Sequence, residues 1–182
     1  MIRRDFYRFG TMLLGGLMTA ALAVPGVAYV LDPLGKRRGE ARTYPLAKLS
    51  ELEVGVPKSY QIVDERQDAW VKQSKEAIGL VWLLRLDDPK QPVIAFQAEC
   101  PHLGCAVNLS ADKKEFRCPC HDSAFYLQAS SDGTHQPGSP KNNIPPRSMD
   151  TLNVELIGTS DPMIHVKFER FRSQTERKIP LA

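Results

Sequence analysis

The sequence predicts a small antiparallel β domain with a loop-built metal-binding subdomain inserted in it, preceded by one membrane-spanning helix. Three observations carry that prediction. Phe9 to Leu31 is an unbroken run without charge, apolar residues alternate with polar ones from about residue 45 onward, and all four cysteines fall between positions 100 and 120.

The uncharged run has 23 residues, roughly 34 Å as a helix, slightly more than a bilayer's hydrocarbon core. It is apolar on every face, as a lipid-exposed helix is and a surface helix is not. Arg3, Arg4 and Arg8 precede it, and basic residues before a span favour an N-terminus kept in the cytoplasm. Arg3-Arg4 followed by Phe6 also resembles a twin-arginine export signal. Thr19-Ala20-Ala21 and Ala21-Leu22-Ala23 offer weak cleavage sites. The reading is an uncleaved anchor over residues 1–31.

Residues 32–44 hold Pro33, Gly35, Gly39 and several charges without apolar periodicity, the composition of a flexible linker. The domain over 45–182 reads as strands. Val56, Tyr60 and Ile62 alternate with polar neighbours. Gly79–Leu84 and Pro92–Phe96 are apolar runs separated by a turn at Asp87-Asp88-Pro89, and the series Leu152, Val154, Leu156 and Ile164, Val166, Phe168 alternate again. Between these groups, about 98 to 148, lies a Cys/His/Pro/Gly-rich region too irregular to be stable without help. His135, in a polar loop, and His165, on the exposed face of a strand, read as bystanders. Trp70 and Trp82 read as fillers of core or surface grooves.

The formal charge of +3 on 182 residues, without a run of five basic residues, excludes a nucleic-acid partner on electrostatic grounds. A hydrophobic fraction of 42% is enough for a compact core. Four cysteines gathered in one region are not the spread framework of a disulfide scaffold.

Those cysteines lie in two boxes: Cys100-Pro101-His102-Leu103-Gly104-Cys105, then twelve residues, then Cys118-Pro119-Cys120-His121-Asp122-Ser123. A 2Fe-2S cluster normally takes four thiolates. Exchanging two on one iron for neutral imidazoles removes negative charge and raises the potential. One Cys and one His from each of two facing loops meet that need, with Cys100 and Cys118 on one iron, His102 and His121 on the other. Cys105 and Cys120 are then left over, each beside a ligand, and a bridge between them would pin the loops in an oxidising compartment. A zinc site and a pair of disulfides are the alternatives, although two disulfides leave both histidines unexplained.

The paired boxes resemble the Rieske family, whose signature is C-x-H-x-G-C with C-P-C-H-x-S. The two additional cysteines make the chain similar to the high-potential branch found in cytochrome bc complexes. The resemblance extends over anchor, linker and β domain. It implies a Rieske β fold, with Leu103 shielding the cluster, Ser123 donating its hydroxyl to a cluster sulfur, and a proline-containing loop, here Gly138-Ser139-Pro140, covering the far side. Three positions depart from the pattern: Pro101 stands where respiratory members often have Thr, Asp122 replaces a common Gly, and Phe125 stands where high-potential members have Tyr.

The resemblance further implies the iron–sulfur subunit of a quinol:cytochrome c reductase, a redox subunit acting only within its complex with cytochrome b and a c-type cytochrome. His121 would be the catalytic residue, taking the hydrogen bond and proton of a quinol. The head would swing on the linker to deliver the electron to haem. Phe125 cannot donate the hydrogen bond a tyrosine would, and the lower potential this implies favours menaquinol over ubiquinol. The expected place is a bacterial inner membrane, crossed once, with the β domain on the periplasmic side. The rival is the small Rieske subunit of a periplasmic molybdenum oxidase such as arsenite oxidase, in which the cluster is a fixed relay.

Overall fold

The computed structural model describes residues 3–35, 42–68 and 71–181. The chain divides into two units, Met1–Glu40 and Ala41–Ala182. Trp70 and residues 36–41 of the linker lie outside the described residues.

The first unit is helix α1, Arg3–Gly35. Within Arg3–Asp32 an 18-residue window reaches a mean hydropathy of 1.8 with none of it buried, so the helix is long and apolar enough to cross a membrane. Thr11 and Thr19 donate their hydroxyls to the carbonyls of Tyr7 (2.9 Å) and Gly15 (2.8 Å) one turn earlier. This satisfies both hydroxyls inside the helix, as a hydrocarbon surrounding requires. The helix continues past Leu31 through Asp32–Gly35, because one proline removes a single hydrogen bond and need not end a long helix.

Among the described residues the second unit holds nine strands: β1 (Thr43–Lys48), β2 (Lys58–Asp68), β3 (Val71–Arg85), β4 (Val93–Gln97), β5 (Asn108–Leu109), β6 (Glu115–Cys118), β7 (Ser123–Tyr126), β8 (Thr151–Ile157) and β9 (Met163–Lys167). They form a six-stranded sheet in the order β1-β9-β8-β4-β3-β2 and a three-stranded sheet in the order β5-β6-β7. Every strand pairing is antiparallel. The small sheet lies within the region read from sequence as loop-built.

Strand β3 shows why the apolar run Gly79–Leu84 has no alternation. Successive side chains on a strand point to opposite faces. Val81 and Leu83 enter a core with Ile62, Ala95, Ile164 and Val166. Trp82 and Leu84 enter a second core with Phe96, Phe116, Phe125, Cys100 and Cys118. A strand buried on both faces reads as continuously apolar. Thus β3 is the partition between the base of the domain and the small sheet. Gly79 is required there, since a Cβ would stand 2.2 Å from the Phe168 ring.

A buried side-chain hydrogen bond ties β3 to the chain on the small-sheet side. Trp82 donates its indole N–H to the Val107 carbonyl at 2.8 Å, both groups being buried. The chain leaving the first Cys/His box is thereby tied to the large sheet. His165 is half-buried on β9, opposite Pro45 and Glu155, and His135 stacks on Tyr126 with centroids 3.6 Å apart.

Candidate metal centre

Each box is a turn fixed by backbone hydrogen bonds. In the first, Cys100 N–H donates to Cys105 O and Gly104 N–H to Cys100 O, both at 2.8 Å. The second is the turn of the β6–β7 hairpin, closed by the pairing of Cys118 with Ser123. Asp122 takes a φ of +59° in that turn, a left-handed conformation that Asp tolerates better than most residues. Asn142 holds it there, donating to the Asp122 carbonyl at 2.7 Å.

A third segment lies alongside β7. Tyr126 N–H donates to Ser139 O, Gly138 N–H to Tyr126 O and Lys141 N–H to Ala124 O, so residues 138–141 run beside the hairpin as an added edge. Gly138 is needed there on two counts: its φ is +81°, and a Cβ would lie 2.5 Å from the Phe96 ring.

The structure brings both boxes together. Cys100 and Cys118 are free thiols, each 1% exposed. Cys105 and Cys120 are joined by a disulfide across the two loops. The Cys118 sulfur lies within 4.8 Å of both bridged sulfurs, but those two are spent in the bridge and offer no thiolate. The His102 and His121 rings stand edge to face, 4.8 Å between centroids, His102 half-buried and His121 exposed. Leu103 is 45% exposed beside them.

Three features fit this donor set to a metal group. The Nδ1 of His102 and the Oγ of Ser123 are buried without a hydrogen-bond partner, an arrangement that costs ~1–3 kcal/mol per group unless a ligand completes it. Burial pushes the Cys100 thiol up from its ordinary value, opposed by the His102 N–H and by the nearby Ser123 hydroxyl, which favour the thiolate. The Ser123 oxygen is close enough to the sulfur to exert that influence, yet makes no hydrogen bond of proper geometry. A buried thiol beside groups that favour its ionised form is suited to a thiolate that a cation would hold.

Two soft thiol donors and two imidazoles from facing loops, pinned by a disulfide, form a donor set suited to zinc or to an iron–sulfur group rather than to magnesium or calcium. A family model for the Rieske [2Fe-2S] domain matches residues 42–152, and the chain belongs to that family. It is similar to the menaquinol:cytochrome c reductase iron–sulfur subunit of Bacillus subtilis (strain 168), 30% identical over 141 residues that cover 76% of this chain and 78% of that one. The Geobacillus thermodenitrificans protein of the same name is 29% identical over 157 residues, 85% of each chain. The cytochrome b6-f complex iron–sulfur subunit of Gloeobacter violaceus (strain ATCC 29082 / PCC 7421) is 29% identical over 127 residues, 69% of this chain and 67% of that one. With its apolar helix, the chain is a single-pass membrane protein carrying a Rieske electron-transfer domain and its 2Fe-2S cluster.

Several contributors to the site gave no signal in the sequence. Asn142, which holds Asp122, and the Trp82–Val107 link are polar contacts between distant positions, with no motif to mark them.

Proposed function

We propose that this chain is the electron-accepting iron–sulfur subunit of a quinol:cytochrome c reductase, working with cytochrome b and a c-type cytochrome. Cys100, Cys118, His102 and His121 would hold the cluster, and it would supply reversible one-electron chemistry there. The observation that carries the proposal is the pair of imidazoles standing together at the surface beside two buried thiols. His121 is exposed, so its outward ring nitrogen is open to the hydroxyl of a quinol. It would accept that hydroxyl's hydrogen bond, and then its proton as the electron leaves. Leu103 presents an apolar surface next to it, suited to a quinol ring and to excluding water. The names of the Bacillus and Geobacillus relatives support this reading over a molybdenum-oxidase subunit.

The acceptor side needs a second docking position. The Pro/Gly/charge composition of residues 32–44 suits a tether that lets the domain visit quinol and haem in turn, although helix α1 takes its first four residues and β1 its last two. Export of the β domain to the periplasmic face of a bacterial inner membrane follows from the twin-arginine pair and the basic flank. Menaquinol is the favoured donor, because Phe125 offers no hydroxyl to a ligand sulfur.

Purification of the membrane complex in mild detergent tests the proposal. It should yield cytochrome b and a c-type haem protein and should reduce cytochrome c with menaquinol. Two or three prolines added within 36–41 should slow that turnover while leaving the cluster's spectrum intact. A molybdopterin subunit as the co-purifying partner would overturn the reading.

A further inference from the structure

The segment 170–181 doubles back on itself and rests against the first Cys/His box. Its own backbone closes through Arg172 N–H to Ile179 O (2.9 Å) and Leu181 N–H to Arg170 O (2.7 Å), and Phe171 anchors it in the base core. From this frame three contacts reach the box. Arg170 pairs with Glu99, immediately before Cys100, at 3.0 Å. Gln174 N–H donates to the Pro101 carbonyl at 2.9 Å. The Ser173 hydroxyl sits where a Cβ on Gly104 would be only 3.4 Å away.

Arg147 holds the segment in place. Its guanidinium is bidentate on Asp150, with Nε to Oδ1 at 2.9 Å and Nη2 to Oδ2 at 2.6 Å. It also donates to the Thr175 carbonyl, to the Thr175 hydroxyl at 3.0 Å and to the Arg172 carbonyl at 2.9 Å. The Arg147 and Asp150 side chains are 9% and 5% exposed. Only a planar guanidinium serves a carboxylate and two carbonyls at once.

The Pro101–His102 peptide is the point of action. A trans peptide directs its C=O and N–H to opposite sides. The carbonyl takes the Gln174 N–H, which leaves the His102 N–H on the other side of the peptide, where it favours the thiolate form of Cys100. Hydrogen bonds on the two ends of one peptide strengthen each other and hold its plane. We propose that segment 170–181, locked by Arg147, is a positioning brace for the Pro101–His102 peptide that sets how strongly the His102 N–H bonds the Cys100 sulfur and so raises the cluster's reduction potential. This rests on the reading of Cys100 as a cluster ligand.

Protein-film voltammetry and EPR on the cluster-loaded full chain and three variants test it. Ending the chain after Arg172 removes the Gln174 N–H. Arg147→Lys keeps the charge beside Asp150 but cannot span the carbonyls. Gln174→Gly keeps the N–H and suits the φ of +59° at that position. The first two should shift the reduction equilibrium about threefold toward the oxidised form, ~28 mV at 59 mV per tenfold for one electron. Gln174→Gly should leave it unchanged, and circular dichroism should show all three folded. Parental potentials in the folded, loaded truncation and in Arg147→Lys overturn the brace. If the truncation does not fold, Arg147→Lys alone decides by the same criterion. An EPR signal without mixed nitrogen and sulfur ligation in the parent would instead overturn the ligand reading beneath it.

Discussion

The imidazoles of His102 and His121 stand at 87° with 4.8 Å between ring centroids, although the residues come from different loops. His102 is half-buried and His121 exposed, and the buried Nδ1 of His102 has no hydrogen-bond partner. Such a pair is stable when one group binds both. Reduced protein should therefore show a rhombic 2Fe-2S EPR signal with mixed nitrogen and sulfur ligation, and His121→Ala should abolish or reshape it. Zinc without iron in correctly matured protein would sink the assignment.

The Cys105–Cys120 bridge acts on loop spacing, not on ligation. It closes a separation of 15 residues, a length for which loop-closure entropy gives ~3 kcal/mol. In a domain of this size that corresponds to a fall in Tm on the order of 10 °C. Replacing both cysteines by serine should lower the temperature at which the cluster is lost while still permitting assembly. Scanning calorimetry followed at the cluster's visible absorbance measures this. A double variant as heat-stable as the parent would show that the backbone hydrogen bonds of the two turns hold the spacing unaided.

The Trp82–Val107 hydrogen bond joins the large sheet to the loop leaving the first box. Trp82→Phe keeps an aromatic ring in the second core and leaves the buried Val107 carbonyl without this donor. An unmet buried acceptor costs ~1–3 kcal/mol, so the denaturation midpoint should drop while the EPR signal keeps its shape. An unchanged midpoint would mean that the link contributes little to stability.

Much of this was legible in the sequence, because burial leaves a trace in composition. The apolar runs of β3 and β4 are those of strands buried on both faces, β8 and β9 show a pattern of period two, and the two Cys/His boxes are marked by their spacing. The outer half of the β2–β3 hairpin left none. Its register runs on to Asp68 opposite Val71, yet residues 64–68 and 72–76 are all polar in sequence, so no apolar alternation marks them as strand. Strands β5 to β7 were hidden for another reason. They are two to four residues long, too short for a period to show. The Arg147–Asp150 pair and its hold on Thr175 join positions 28 apart, a relation that no local pattern encodes.

Phe125 gives the sharpest test of how the site sets its potential. It is fully buried, pairs with Phe116 across the hairpin, and shares a core with Cys100 and Cys118. Hydrogen bonds to cluster or ligand sulfur disperse the negative charge gained on reduction, so each one raises the potential. Ser123, buried and without another partner, is placed to supply one such bond, and the phenyl ring of Phe125 can supply none. A hydrogen bond to a charged group is worth ~1.5–3 kcal/mol. For one electron 59 mV is a tenfold change, about 1.4 kcal/mol, so the missing bond corresponds to roughly 60–120 mV. Phe125→Tyr should recover part of it, several tens of millivolts, because the added hydroxyl must still find room in a close-packed core. The stability of the variant separates two outcomes. A hydroxyl that reaches sulfur raises the potential at little cost in Tm, whereas one left unpaired lowers Tm and leaves the potential where it was. Protein-film voltammetry beside a thermal melt distinguishes them, and a potential that stays or falls would show that residue 125 acts on the core alone.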